Sequence, residues 1–173
     1  MAAALSTKLM QYTVPELREM FMVKNAPDEE FRPIVYKDIV FDNYEISQYG
    51  NIYSKASKRN LLWSTRDPKR RPEACVSLSI PSNFRHNGFQ YKKKSVTFYV
   101  HLLVAHTFLK VPDALPDFLQ KDWPNMSEQT RRLVHDSLQV DHIDGNPFNP
   151  RVTNLQYLTA EENARRLLHL ERR

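Results

Sequence analysis

The sequence predicts an α+β fold in which a small N-terminal antiparallel β-rich module is followed by a C-terminal hairpin of two strands and a helix. Between residues 34 and 108, short apolar runs alternate with turn signals, a pattern typical of antiparallel strands. From residue 138 onward, a short alternating run, a glycine turn, a second run and a helix start follow in that order. These two patterns separate a β-rich part from a compact C-terminal unit.

Length and composition limit the class of protein. The chain has 173 residues, of which 41% are hydrophobic, enough to bury one substantial core or two small ones. No apolar run approaches the roughly 18 residues that a membrane helix needs, and the start MAAALSTKLM lacks the features of a secretion signal. The single cysteine, Cys75, excludes an internal disulfide and a zinc site of the paired-cysteine type. A metal ion would therefore be held by oxygen and imidazole groups.

Positive charge is concentrated in one stretch of the chain. The formal net charge is +5, yet the segment from Lys55 to Lys94 holds eleven basic residues and only two acids, Asp67 and Glu73. This composition is expected of a surface that follows nucleic-acid phosphates, and the alternative is a solvated basic face without a ligand. The aromatic residues interleaved with the basic ones are Trp63, Phe84, Phe89 and Tyr91.

Changes in composition divide the chain into four predicted segments: a helical arm (1–32), a β-rich module closed by a helix (33–110), an insert or linker (111–137) and the C-terminal unit (138–173). The arm contains a predicted helix from Val14 to Val23, with Thr13 and Pro15 as its start signal. The insert contains a predicted helix from Ser127 to Leu138, with Ser127 as its cap.

Four apolar runs in the β-rich module predict strands: IVYKDIVF, YEISQYGNIYS, ACVSLSI and SVTFYV. The dipeptide Asn87-Gly88 is a hairpin-turn candidate, because both residue types adopt positive φ angles readily. After the last of these strands the apolar period becomes that of a helix, with Leu103, Val104 and Phe108 on one face.

The C-terminal unit brings an acid, a histidine and amides together around a tight turn. The run ending at His142 alternates apolar and polar residues and predicts a strand, which the turn DGNP ends. A second strand is predicted from Asn154 to Leu158. Thr159 and Glu162 then form a capping box at the start of a helix that passes through Asn163.

This unit resembles the HNH, or His-Me finger, nucleases, whose active site is a ββα hairpin that holds one divalent metal ion. The matching residues are Asp141-His142, Asn154 and Asn163, and the DGN turn and the Asn154-Leu155 pair are also in place. Asn154 and Asn163 follow Asp141 by 13 and 22 positions. The resemblance implies an endonuclease of the phage or homing type.

The β-rich module resembles the nuclease-associated modular DNA-binding domain that precedes HNH units in many phage and homing-type endonucleases. The stretch YKDIVFDNYEISQYGNIYSKASKRNLL carries this resemblance, with ISQYGNIYS at the module's central turn. The segment VHLLVAHTFL resembles the helix between the two modules. Tyr36 stands where the module usually has tryptophan, and Leu102 stands where arginine is common. The arm and the insert lie outside the resemblance.

The resemblance implies a role for each matching residue. His142 is the expected general base, which suits an imidazole because its ordinary pKa of about 6.5 lies near neutral pH. Asp141 and Asn163 correspond to the family's metal ligands, and their oxygen atoms suit one Mg²⁺, with Mn²⁺ as the alternative. Taken alone, Asn163 is an ordinary polar helix residue, and its spacing from Asp141 favours the ligand role. Asn154 is expected to brace the loop and orient His142.

The basic stretch is expected to bind duplex DNA, together with a histidine at a matching position of the helix between the modules. The predicted contact residues are Lys55, Lys58, Arg59, Arg66, Lys69, Arg70, Arg71, Lys92, Lys93, Lys94 and His101.

The sequence therefore predicts a metal-dependent endonuclease that hydrolyses a phosphodiester bond of double-stranded DNA, with strand nicking expected from a single hairpin site. Two alternatives stay open: a non-catalytic DNA-binding or regulatory protein on an HNH scaffold, and the nuclease subunit of a phage DNA-processing complex that docks a protein partner through residues 111–137. A monomer is favoured, and no membrane partner is expected. The expected location is the cytoplasm, that of the host cell if the protein is phage-encoded.

Overall fold

The computed structural model describes residues 11–24, 26–67, 71–82, 84–86, 89–90 and 94–171. Its helices and antiparallel strands confirm the α+β class. The strands are β1 (Phe31–Tyr36), β2 (Ile39–Ser47), β3 (Ile52–Ser54), β4 (Arg59–Leu61), β5 (Ser64–Asp67), β6 (Arg71–Ser79), β7 (Arg85–His86), β8 (Phe89–Gln90), β9 (Ser95–Tyr99), β10 (Gln139–His142) and β11 (Leu155–Leu158). The α-helices are α1 (Val14–Phe21), α2 (Val100–Phe108), α3 (Asp117–Asp122), α4 (Glu128–Ser137) and α5 (Ala160–Glu171).

The strands form antiparallel ladders within the described ranges. One sheet has the order β1-β2-β3-β4, a second has the order β5-β6-β9, and the pairs β7-β8 and β10-β11 are separate. The predicted turn Asn87-Gly88 lies outside the described residues, but the strands on either side of it pair as Arg85 with Gln90 and His86 with Phe89.

The run IVYKDIVF forms a hairpin, so its interpretation as one strand is wrong. Lys37 and Asp38 turn the chain with φ angles of 49° and 65°, and Tyr36 pairs with Ile39 across the turn. Aspartate tolerates this left-handed region better than most residues, which makes the polar pair between two apolar runs a turn signal. The turn lets both apolar halves face the same core.

The predicted helices are confirmed with small shifts of their ends. α1 ends two residues before the predicted Val23. α2 buries Leu103 and Val104 completely, as its period predicts. Ser127 caps α4, because its Oγ accepts a hydrogen bond from the Thr130 backbone N–H at 3.1 Å.

The loop between β10 and β11 packs directly on the N-terminal half of the chain. Phe148 is only 1% exposed and stacks on Trp63 with ring centroids 5.6 Å apart and on Phe21 of α1 at 6.0 Å. Gly50 has a φ of +86°, and a Cβ added there would lie 2.6 Å from Pro150 Cγ, so the chain needs glycine at this approach. These contacts fix the position of the C-terminal loop relative to the first sheet.

The helices of the described ranges include none long and apolar enough to cross a bilayer.

Candidate active site

A short hairpin and one helix form the scaffold of the candidate site. β10 and β11 pair antiparallel, with Asp141 opposite Gln156 and His142 opposite Leu155. The capping box predicted at the start of α5 is confirmed, because Thr159 Oγ1 donates to Glu162 Oε2 at 2.9 Å and the Glu162 N–H donates to Thr159 Oγ1 at 3.2 Å. The cap sets the direction in which α5 returns over the hairpin.

The loop is closed by Asp144 and Asn154. The Asn154 side-chain oxygen accepts from the Asp144 backbone N–H at 3.0 Å, and its Nδ2 donates to Asp144 Oδ1 and to the Asn149 carbonyl, each at 2.9 Å. Asp144 also accepts from the Asn146 backbone N–H at 2.8 Å and from Asn149 Nδ2 at 2.7 Å. Asn146 and Asn149 are therefore turn residues, and Asn154 makes the loop contacts expected of a brace.

His142 lies at the end of β10 with its side chain largely removed from solvent. It is 9% exposed, and within the described residues its buried Nε2 has no hydrogen-bond partner. Burial lowers its pKa below the ordinary value, and the carboxylates of Asp141 and Asp144 oppose that effect. The imidazole is consequently neutral near pH 7, the form in which it accepts a proton.

The His142 ring contacts a second histidine. His101, on α2, packs edge-to-face against it with ring centroids 4.7 Å apart. His101 is 7% exposed, and burial, followed by the proximity of His142, lowers its pKa well below the ordinary value. The sequence alone predicts a phosphate contact for His101 and contains no signal that would bring it to His142.

Asp141 and Asn163 lie on the same side of β10. Asn163 Nδ2 donates to Gln139 Oε1 at 2.6 Å, and Gln139 and Asp141, two positions apart on a strand, point to the same face. Asp141 Oδ2 accepts from Gln156 Nε2 at 3.0 Å and lies 3.2 Å from Arg166 Nε as an ion pair. Asp141 thus faces α5, the helix that carries Asn163.

The donor set fits one hard divalent cation. Among the described residues, the hydrogen bonds of these two ligands involve Asp141 Oδ2 and Asn163 Nδ2, so that Asp141 Oδ1 and Asn163 Oδ1 remain as oxygen donors. Across the same ranges, no group of three or more His, Cys, Asp or Glu side chains is arranged to hold a metal ion. A cation held by one carboxylate and one amide retains most of its coordination positions for water and substrate oxygens.

Arg166 contacts the candidate site, although the sequence patterns above do not single it out. Its Nη2 donates to the backbone carbonyls of His142, at 3.2 Å, and Ile143, in addition to the ion pair with Asp141. Arg165 instead pairs with Glu161 on an exposed helix face. The three-residue spacing from Asn163 to Arg166 on a helix was the available signal.

The predicted DNA-contact residues are described only in part. Lys58, Arg59 and Lys94 are exposed, and Lys55 forms a solvent-accessible ion pair with Glu45 at 3.1 Å. The remaining predicted contacts in this stretch lie outside the described residues, either entirely or in their side chains: Lys69, Arg70, Lys92, Lys93, Arg66 and Arg71.

The order of strand, loop, strand and helix, with Asp-His at the end of the first strand, is similar to that of an HNH unit. Residues 132–165 match the family model described as HNH endonuclease, as the resemblance predicted. The chain is 26% identical over 122 residues to an uncharacterized HNH endonuclease of Acanthamoeba polyphaga mimivirus, an alignment that covers 70% of this chain and 26% of that protein. It is also similar to the HNH homing endonuclease I-HmuI, from a structure of DNA binding and cleavage, with 25% identity, a TM-score of 0.49 and coverage of 82% of this chain and 59% of that one. The chain thus spans about a quarter of the length of the mimivirus relative.

Proposed function

We propose that this protein is a metal-dependent endonuclease of the phage or homing type that nicks double-stranded DNA. The observation that carries the proposal is the placement of the buried His142 beside Asp141, with Asn163 on the same face of β10 as that carboxylate. The match of residues 132–165 to the HNH endonuclease model supports it. The proposed partner is duplex DNA, and the proposed location is the cytoplasm.

His142 is the general base of the proposed reaction. Hydrolysis adds water across a phosphorus–oxygen bond: the water gives a proton to the imidazole as its oxygen bonds to phosphorus. The sugar oxygen leaves with the bonding electron pair and takes a proton from a second water molecule. A histidine with a lowered pKa is ready to accept that proton at neutral pH. His142 is only 9% exposed, so little bulk water reaches its ring.

Asp141 and Asn163 are the proposed ligands of one Mg²⁺ or Mn²⁺. The bound cation supplies Lewis-acid stabilisation of negative charge on the phosphate and on the leaving oxygen. Gln156 and Arg166 hold the Asp141 carboxylate in place, which limits the rotamers that it samples. Asn154 and Asp144 keep the loop closed and so keep His142 at the end of its strand.

A single hairpin supports one cut at a time. One general base and one ligand pair serve one phosphodiester bond, so the first product expected from a closed plasmid is a nicked circle. A linear product would require a second event or a second copy of the protein.

The test is incubation of supercoiled plasmid with the purified protein in Mg²⁺ or Mn²⁺, with and without a chelator, together with a DNA-binding assay. Nicked circles should appear before linear DNA and should disappear with the chelator. A protein that binds DNA but nicks it with neither cation would reject the enzyme proposal in favour of the non-catalytic alternative.

A further inference from the structure

We propose that His101 is a positioning residue for His142: its ring packs against the general base and fixes the orientation in which that base meets water. The inference rests on the proposed nuclease function. On this inference His101 acts through its contact with His142 and does not touch the DNA. The sequence alone predicts instead that His101 contacts a DNA phosphate.

The two histidine rings are in direct contact. They meet edge-to-face, with centroids 4.7 Å apart and an angle of 67° between their planes, the arrangement in which the positive edge of one ring meets the negative face of the other. The Tyr99 ring stacks on His101 at 5.7 Å with an angle of 18°. His101 is therefore held between Tyr99 and His142.

The contacting rings also carry an unusual group of buried polar atoms. In the described part of the chain, His101 Nδ1, His142 Nε2 and the Tyr99 hydroxyl are buried without a hydrogen-bond partner. Buried polar groups are nearly always bonded, so three such atoms in contacting rings are costly and call for a functional explanation. A purely structural contact would be better served by apolar side chains.

The His101 ring meets the base from a rigid element. Asn154, expected to orient His142, directs the described hydrogen bonds of its side chain to Asp144 and Asn149, so its influence on the ring passes through the loop backbone. α2 packs against β1 and β6 of the N-terminal half and against β10 and β11 of the hairpin. A ring carried by such a helix has little freedom to move.

The experiment compares nicking kinetics of His101→Ala, His101→Phe and a control, Val104→Ala, which shortens another buried side chain of α2. His101→Ala should lower kcat by about 10- to 100-fold, because a displacement on the order of 1 Å at a reacting group has effects of that size, while KM for DNA stays within about 2-fold. His101→Phe keeps a ring at the contact and should recover kcat to within about 3-fold of wild type. Val104→Ala should lower Tm yet keep the wild-type kcat well below that temperature.

Three outcomes of the kinetic experiment would contradict the positioning role of His101. Unchanged kcat with a raised KM in His101→Ala would overturn the proposal and restore the phosphate contact. Equal loss of kcat in the Ala and Phe variants would show that ring packing is not the source of the effect, and so would equal loss in Val104→Ala.

A measurement on the uncomplexed protein separates this inference from the nuclease proposal. NMR should show a nuclear Overhauser effect between the His101 and His142 ring protons in the wild type, and a broadened or shifted His142 ring signal in His101→Ala. The absence of that effect in an active enzyme would overturn the positioning role alone. Its presence in a protein that never nicks DNA would overturn the nuclease function and the positioning role with it.

Discussion

At the scale of single residues, the Asp144 carboxylate is the centre of the loop that follows His142. It accepts hydrogen bonds from the Asn146 backbone, the Asn149 amide and the Asn154 amide. Its negative charge also opposes the fall in the pKa of His142 that burial causes. Asp144 therefore stabilises the conformation of the loop and also raises the pKa of the proposed base.

Replacement of Asp144 by alanine should weaken the fold. Three donors lose their acceptor, and the Asn154 amide is left with an unsatisfied hydrogen, so the free energy of unfolding should fall by about 2 to 3 kcal/mol. Urea denaturation measures this, with the exposed Asp113→Ala as the control that should change stability by less than about 0.5 kcal/mol. Equal stability of the two variants would contradict the central role of Asp144 in the loop.

The residues of the candidate site were predictable to different degrees. Asp141, His142, Asn154 and Asn163 stand at informative spacings within one short unit, so a sequence pattern could find them. Asp144 lies in the same unit, but aspartate is common in turns such as DGN. Its presence there therefore gave no sign of a further role. The contact of His101 with His142 depends on how α2 packs against a hairpin that is distant in the sequence, and local patterns contain no such information.

At the scale of elements, helix α1 and the β10–β11 loop are joined by aromatic stacking. Phe148 from the loop lies between Phe21 of α1 and Trp63, and Arg18 Nε donates to the Trp63 carbonyl at 2.5 Å. The arm, which lies outside the family resemblance, thus supports the loop. Its short length gives α1 little stability of its own, so it depends on this packing.

Phe148→Ala should destabilise the protein far more than a similar change at the surface. Removal of a fully buried phenylalanine costs about 3 to 5 kcal/mol, because transfer and cavity effects add. Phe118→Ala is the matched control, since Phe118 is 54% exposed, and its effect should stay within about 1 kcal/mol. Thermal or urea unfolding measures both, and similar losses would show that the stack contributes no more than a surface ring.

The elements themselves were largely predictable, and the failures have physical reasons. Ser127, Thr159 and Glu162 signal helix starts because caps are local interactions, and the structure has these caps. The turn at Lys37-Asp38 was missed because an apolar run interrupted by two polar residues also suits an alternating strand. Which elements touch is set by the whole core, as the stacking of α1 on the loop illustrates.

At the scale of the whole molecule, the half-buried His106 makes stability depend on pH. His106 contacts Tyr36 and His135, and burial, followed by the charges of His135 and Lys37, lowers its pKa to about 4, while Asp38 and Asp136 oppose the shift. An unfolded histidine has a pKa of about 6.5, so between these values the unfolded chain binds the extra proton. The stabilisation is complete above about pH 6.5 and is lost as the pH falls toward about 4.

His106→Gln should therefore reduce the acid sensitivity of the fold. Between about pH 7.5 and pH 5, His106 accounts for a loss of about 2 kcal/mol in the free energy of unfolding of the wild type, and a glutamine cannot contribute it. Urea unfolding gives the free energy of unfolding of both proteins at the two pH values. The change between the two pH values is then compared between wild type and variant, so any pH-independent effect of the substitution cancels. Equal acid losses would contradict the lowered pKa.

The proposed contacts of the basic stretch from Lys55 to Lys94 with DNA phosphates should make DNA binding depend on salt. Removal of one phosphate-binding side chain lowers the slope of log Kd against log salt by about 0.9, so Lys58→Ala combined with Arg59→Ala should lower it by about 2. Both side chains are exposed near the β3–β4 turn. The control is Lys121→Ala, which removes an exposed lysine of α3 and should leave the slope at its wild-type value. If the double variant also keeps the wild-type slope, the β3–β4 turn does not contact DNA phosphates.

The most direct test of the proposed function compares the single-turnover rate of plasmid nicking by the wild type and by His142→Ala. The rates are measured in saturating Mg²⁺ or Mn²⁺ at about pH 7.5. His106→Gln, which replaces a histidine outside the site, is the control. Removal of the general base should lower the rate by about 10² to 10⁴, with DNA affinity within about 2-fold of wild type and the control nicking at the wild-type rate. A His142→Ala protein that nicks within about 3-fold of the wild-type rate would contradict the assignment of His142 as the base.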